Sequence, residues 1–383
     1  MPIWSRFDRS STPTMTEPAW HSFPRTEQVI QASIARGQNP GVQLYVSRRG
    51  ERFFDAGYGD GWPGVPMTAD SITMWLSAVK PVTTVAIGQL VDRGQVEIDQ
   101  PVVSWIPEFG QRGKESVTVR HLLEHTAGFR FVAARWSFDP WDEIIQTICQ
   151  AKLEKDWVPG ERAGYHVASS WYVLGEIVRR VDGRPVDQYV REEIFEPLGM
   201  DDSWLAMPED RYDIYGDRIA PTFQTESGEE FANPVWSTSA GAAICRPGGS
   251  GRGPIRELGT FYEHLLAIIA GKSGIVTLDT LRTLTTRSRI NMFDRTFNHT
   301  MDWAAGFMVD SKHHGEETVP YGFGRYCGRS TFGHAGAQSS TGFADPENEL
   351  VVALVFNGMP GEAAHQPRLR AICNAIYEDL EIA

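Results

Sequence analysis

Apolar and polar positions alternate across residues 41–60 (GVQLYVSRRGERFFDAGYGD), where Val42, Leu44 and Val46 interleave with Gln43, Tyr45 and Ser47 ahead of a turn at Arg48-Arg49-Gly50. A period of two predicts strands, and the turn joins them as a hairpin. The pattern returns at the far end, where residues 332–345 and 350–357 flank Pro346-Glu-Asn-Glu349. In between, apolar residues recur every three or four positions over 77–93, 119–124, 141–152 and 169–181, the last continuing towards 189–195, which predicts helices. A Gly/Pro-rich loop at 247–254 leads into another helical pattern over 255–270. Leu369, Ile372, Cys373, Ile376 and Leu380 then mark a closing helix over 362–381 that should cover the sheet. The economical arrangement is an α+β domain: an antiparallel sheet drawn from both chain ends (about 21–76 and 240–383) and a mostly helical inserted lobe (about 77–239), after a flexible leader at 1–20.

Composition narrows the class. The 383 residues are 41% hydrophobic and 22% charged, enough for a large core without covalent staples. The net charge of -13 is spread along the chain with no basic run, so nucleic acid is not an expected partner. The first twenty residues contain no continuous apolar stretch and no small-residue cleavage site, and a cytoplasmic protein is expected. Apolar runs such as 264–270 fall far short of the roughly 20 residues needed to cross a bilayer. Cys149, Cys245, Cys327 and Cys373 form no Cys-x-x-Cys pair and read as buried free thiols. His121-Leu-Leu-Glu124-His125 matches an inverted zinc-protease pattern, but no third ligand accompanies it, and neither metal nor cofactor is expected.

Of the six lysines, only Lys80 has a serine three residues earlier, in Trp75-Leu-Ser77-Ala-Val-Lys80. Val82, Val85, Ala86 and Leu90 mark the buried stripe of a helix that begins here, with Pro81 tolerated in the first turn. Residues at i and i+3 share a face, so the Lys80 amine can reach the Ser77 hydroxyl. A desolvated lysine can take the proton that keeps a serine unreactive. In isolation the same pair also describes a helix cap beside a solvated lysine.

Its surroundings carry a resemblance. Ser77-Ala-Val-Lys80-Pro, Leu90-Val-Asp-Arg-Gly-Gln-Val-Glu-Ile-Asp99 and Val117-Thr-Val-Arg-His-Leu-Leu-Glu-His-Thr-Ala-Gly128 are similar, in order and spacing, to landmarks of the class C β-lactamases, the related family VIII carboxylesterases and penicillin-binding proteins. The resemblance runs from about residue 31 to the C-terminus and implies a β-lactamase/transpeptidase-like fold. It implies catalytic roles for Ser77 as nucleophile and for Lys80 and Tyr165 as proton carriers, Tyr165 standing where the family has a tyrosine followed two residues later by asparagine. Here that asparagine is Val167, which argues against β-lactam recognition. Tyr172 is a weaker substitute for Tyr165 because it falls within a helix.

The family's third motif, Lys-Thr-Gly or His-x-Gly, finds a literal match at Lys272-Ser273-Gly274, but that segment reads as a loop after a helix C-cap. The strand at Phe332-Gly-His334-Ala-Gly336-Ala337 is preferred. The resemblance makes His334, Gly336 and Ala337 substrate-binding and assigns the oxyanion hole to the backbone N–H groups of Ser77 and Ala337. The activity it implies is hydrolysis of a small-molecule carboxylic ester, with an amide second, through a Ser77 acyl-enzyme. Acyl transfer to an alcohol or amine, a β-lactamase or D-peptidase, and a ligand-binding protein without turnover are the alternatives. A homo-oligomer stays open. Trp75, Trp136, Trp141, Trp157 and Trp236 are candidates for an apolar pocket wall, though core packing accounts for most.

Overall fold

The computed structural model describes residues 20–383, so the leader expected at 1–20 lies, apart from Trp20, outside the described residues. In chain order the elements that position the site are helix α1 (Pro24–Ala35), strands β1 (Gly41–Arg48), β2 (Glu51–Trp62) and β3 (Val65–Pro66), helices α2 (Lys80–Asp92), α3 (Ser169–Asp182) and α4 (Ile255–Ile269), strands β4 (Arg289–Asp294), β5 (His299–Trp303), β6 (Met308–Val309), β7 (Phe332–Ala335), β8 (Ser340–Asp345) and β9 (Leu350–Phe356), and helix α5 (Glu362–Asp379). The strands form one nine-stranded antiparallel sheet in the order β3-β2-β1-β9-β8-β7-β6-β5-β4. The two chain ends meet at its centre, where Val42 pairs with Phe356 and Val46 with Val352.

Strand β9 is apolar at every position because both faces are covered. Val352, Leu354 and Phe356 join the core under α1 and α5, with Ile30, Leu369, Ile372 and Ile376, whereas Val351, Ala353 and Val355 join the core under α4, with Leu258, Phe261 and Leu265. Alternation therefore selects the layer, not the solvent. The terminal helices are tied together where Asp379 accepts from the N–H and hydroxyl of Thr26 at 2.9 and 2.8 Å.

The structure departs from the sequence pattern in three places. Residues 332–345 are two strands, β7 and β8, because the Gly336 N–H donates to the Ser340 carbonyl at 2.8 Å and Gln338 takes a φ of 51°, closing a tight turn. Strands β4 to β6 have no clear alternation, since β4 slips register midway and β6 is two residues long. Helix α3 stops at Gly183 (φ 94°), and the chain re-enters a separate helix, Val186–Val190, that runs into a π-helical turn at Arg191–Phe195. The four thiols are free, three of them buried and Cys245 half-buried. No helix among the described residues is long and apolar enough to cross a membrane.

Candidate active site

Ser77 is delivered by a strained segment. Leu76 adopts φ 50°, a conformation that costs a residue with a Cβ about 1–2 kcal/mol. Trp75 holds it there: its N–H donates to Gly251 O at 2.8 Å, its indole N–H to Gly253 O at 3.1 Å, and its carbonyl accepts from the Ser340 hydroxyl. Leu76–Val79 form a 3₁₀ turn that continues into α2, and Pro81 sits in the first turn, where its missing N–H has no partner to lose. Val82, Val85 and Ala86 are fully buried and anchor the helix.

Lys80 is completely buried, with Nζ 3.0 Å from Ser77 Oγ, 2.6 Å from Gly248 O and 3.1 Å from Val167 O. No carboxylate among the described residues pairs with it, and burial alone drives its basicity well below that of an ordinary lysine. A neutral amine fits these contacts: two N–H bonds donate to the two carbonyls, and the lone pair faces the serine hydroxyl.

Tyr165 is buried beside this pair. Both Tyr165 and Ser77 line the same cavity, and Lys80 Nζ lies 5.1 Å from the Tyr165 ring centroid. Burial pushes the phenol up from its ordinary range, opposed by the nearby Ser77 side chain. Its backbone is fixed by Asp294, whose Oδ1 accepts from the N–H groups of Tyr165 (3.0 Å), Thr296 (2.9 Å) and Phe297 (3.1 Å), while Oδ2 lies 3.1 Å from the guanidinium of Arg289. Both members of that ion pair are fully buried, and Arg289 also donates to Glu124 O. Sequence reasoning missed this pair because it lies in the strands without alternation. An arginine five residues before an aspartate carries no local signal that the pair holds the distant backbone of Tyr165.

His334 comes from β7 and lines a cavity of about 670 Å³ together with Ser77, Tyr165, Val167, Ala335 and Ala337. Its Nδ1 lies 2.7 Å from the Ala335 carbonyl, which only accepts, so the proton sits on Nδ1 and Nε2 is left as a partnerless acceptor. Burial, followed by the nearness of Lys80, pushes the imidazole well below its usual value and keeps it neutral. Gly336 lies between the lining residues Ala335 and Ala337. A Cβ there would meet Trp75 O at 2.5 Å, so this glycine backs the nucleophile segment, while Ala335 and Ala337 form the cavity wall. The Ala337 N–H takes no part in the turn bonds around it.

The competing candidates are engaged elsewhere. His121 closes a capping box with Thr118, Glu124 accepts from Ser288, and His125 Nδ1 accepts from the His166 N–H at 3.0 Å, so the His-x-x-Glu-His segment locks a helix end against the Tyr165 loop. Tyr172 donates to Trp136 O, and the 272–274 segment is an exposed loop. Trp75 is core, whereas Trp136 borders a neighbouring cavity. Asp302, His313 and His314 also converge, as an ion-paired cluster in which the carboxylate meets Arg287 at 3.0 Å and His314 Nε2 at 2.9 Å.

A sheet closed by both chain ends, with a serine and a buried lysine one turn apart at the head of the first inserted helix, defines the class of β-lactamase-fold hydrolases. The comparisons agree. The profile described as Beta-lactamase matches residues 26–375, and the chain belongs to that family. A penicillin-binding protein homologue from Caulobacter crescentus superimposes with a TM-score of 0.76 at 27% identity, over 96% of this chain and 99% of that one. The esterase/beta-lactamase LipL of Mycobacterium tuberculosis (strain ATCC 25618 / H37Rv) is 28% identical over 78% of this chain and 71% of its own length. Esterase EstB of Burkholderia gladioli is 29% identical over 46% of this chain and half of its own.

Proposed function

We propose that the protein is a serine esterase that hydrolyses a carboxylic ester through an acyl-enzyme on Ser77. The observation that carries this reading is the fully buried Lys80, uncompensated by any carboxylate among the described residues and 3.0 Å from Ser77 Oγ. Ser77 Oγ bonds to the ester carbon as its proton passes to Lys80 Nζ. The carbonyl oxygen takes the negative charge and is held by the backbone N–H groups of Ser77 and Ala337, a contribution of about 3 kcal/mol per donor. Collapse breaks the bond to the alcohol oxygen, which receives a proton from Tyr165. The upward push on that phenol keeps the proton available at neutral pH. Tyr165 recovers it from Lys80. Water then attacks the acyl-enzyme, returns its proton through the same pair and frees Ser77 with release of the carboxylic acid.

An ester is favoured over a β-lactam because Val167 stands where the related lactamases have a side-chain amide, and because His334 supplies a neutral acceptor where a lysine would supply a cation. The two curated relatives named above are both described as esterases, one of them also as a β-lactamase. The test is intact-mass analysis after exposure to an activated short-chain ester and to a fluorophosphonate, on the wild type and on Ser77→Ala. An adduct on Ser77 that is absent from the variant is expected. A folded wild type that takes up neither reagent overturns the reading in favour of a binding protein, and a product formed preferentially with an added alcohol turns it into acyl transfer.

A further inference from the structure

The two N–H groups that hold the oxyanion in the esterase reading come from distant parts of the chain, Ser77 from the turn that opens α2 and Ala337 from the turn between β7 and β8. Neither N–H is given to another acceptor among the described residues, so both are free for a substrate oxygen. Such a pair works only if its spacing is fixed before the charge appears, because a donor that must first be moved into place loses in reorganisation what its hydrogen bond gains.

One residue joins the two turns. The Ser340 hydroxyl donates to the Trp75 carbonyl at 2.5 Å, and the Ser340 carbonyl accepts from the Gly336 N–H at 2.8 Å. With its backbone Ser340 closes the turn that carries Ala337, and with its side chain it grips the segment that carries Ser77. Gly336 makes the close approach possible: a Cβ there would lie 2.5 Å from Trp75 O and 2.9 Å from Leu76 Cβ. The turn is itself held from behind, where Ser339 Oγ donates to Phe356 O at 2.8 Å and Arg368 Nη2 to Gln338 O at 3.0 Å.

The grip falls beside the strained residue. Leu76 stands between the gripped carbonyl and Ser77 with a left-handed φ of 50°, a conformation that persists only where the neighbours impose it. The bonds from Trp75 to Gly251 and Gly253 tie it to the loop before α4 and leave its place relative to Ala337 open. Ser340 is completely buried and its hydroxyl proton is already given to Trp75, so its effect on the chemistry runs through that carbonyl.

We propose that Ser340 is the positioning residue of the oxyanion hole: through the Trp75 carbonyl it sets the spacing of the Ser77 and Ala337 N–H groups, and so governs the tetrahedral intermediate and not the binding of the ester. This rests on the esterase reading and names the residue that aligns its two donors.

The experiment compares the wild type with Ser340→Ala, which deletes the tie, Ser340→Thr, which keeps the hydroxyl, and Gly336→Ala, which wedges the two turns apart. Each is assayed for kcat/KM on a nitrophenyl ester and for inhibition by a trifluoromethyl ketone, whose adduct on Ser77 carries the oxyanion. The matching trifluoromethyl alcohol, which forms no adduct, reports binding alone. Thermal melting and fluorophosphonate labelling of Ser77 carried to completion check each preparation. Ser340→Ala should lower kcat/KM about 10- to 100-fold and weaken the ketone by a similar factor. Affinity for the alcohol should be unchanged, and the pH limb set by Lys80 should stay in place. Gly336→Ala should repeat this pattern, and Ser340→Thr should stay within about threefold of the wild type because the donor is kept. Should Ser340→Ala or Gly336→Ala fail to fold, the other is read by the same outcomes. Wild-type turnover and ketone affinity in Ser340→Ala overturn the proposal, and so does an equal loss of ketone and alcohol, which marks a general collapse of the cavity. A wild type that neither turns over an ester nor takes a label on Ser77 instead overturns the esterase reading and this inference with it.

Discussion

Two lysines in this protein are completely buried, and only one stands beside a serine. Lys114 holds its Nζ against the carbonyls of Gln111 (3.1 Å), Cys149 (2.9 Å) and Ala151. Three acceptors consume the three protons of an ammonium, and burial lowers this lysine only to about 8. Lys80 meets two carbonyls, and its third direction is the Ser77 hydroxyl. Both lysines therefore meet three oxygens, and what differs is the third partner. A carbonyl can only accept, whereas the Ser77 hydroxyl can also give up its proton, so Lys80 alone has a proton within reach.

The comparison can be broken at either lysine. Lys80→Met fills the same space without a lone pair and should lower kcat/KM by about 10²–10⁴, the range for removing a positioned acid or base. A loss under tenfold would mean that another group takes the Ser77 proton. Tyr165→Phe, with the ring and its packing kept, should cost about 10² in kcat for esters of poor leaving groups and less for nitrophenyl esters, whose alcohols leave without a proton. Equal losses on both would remove Tyr165 as the donor. Asp294→Ala should lower activity about tenfold while destabilising the fold by roughly 3–5 kcal/mol, since it leaves the buried Arg289 unpaired and frees the Tyr165 backbone. Chemical denaturation and turnover on the same sample separate the two effects.

The pH profile sharpens the contrast further. Activity needs Lys80 unprotonated, so kcat/KM should rise with pH along a limb that ends well below the ordinary lysine range, a limb that Lys80→Met abolishes. Lys114→Met should leave turnover unchanged and reduce stability by roughly 3 kcal/mol through three unpaired carbonyls. Its folded form releases a proton from about 8, whereas the unfolded chain keeps it to about 10. The unfolded state then binds more protons, so the wild type gains stability as pH rises across that window, and the variant lacks that gain. Denaturation midpoints at two pH values read this smallest effect.

Much of this was legible in the residues, for a physical reason. Ser77 and Lys80 are three apart on one helix, and helix geometry alone brings them together. Val42 to Val46 and the apolar run of β9 declare strands by their own periodicity. Lys114 shows the limit, because its three carbonyls come from two separate segments and nothing near it in sequence announces burial. The Asp294–Arg289 pair was equally silent, and so was the close approach of Gly336 to the Trp75 carbonyl, which the turn at 336–339 brings about. Side chains that act through local spacing can be read from the chain. Those that act by holding a distant backbone segment cannot.

The central place of β9 also orders events during synthesis. Its partner β1 is made long before β9, so the middle of the sheet stays open until β9 has left the ribosome. Pairing at such separation is slow, and the waiting strands present unsatisfied edges that invite aggregation. The same schedule governs the chemistry. Ser77 emerges early, but the Ser340 hydroxyl that clasps the Trp75 carbonyl arrives more than two-thirds of the chain later. A growing chain thus carries Ser77 in an unheld conformation until Ser340 has arrived to clasp the segment before it.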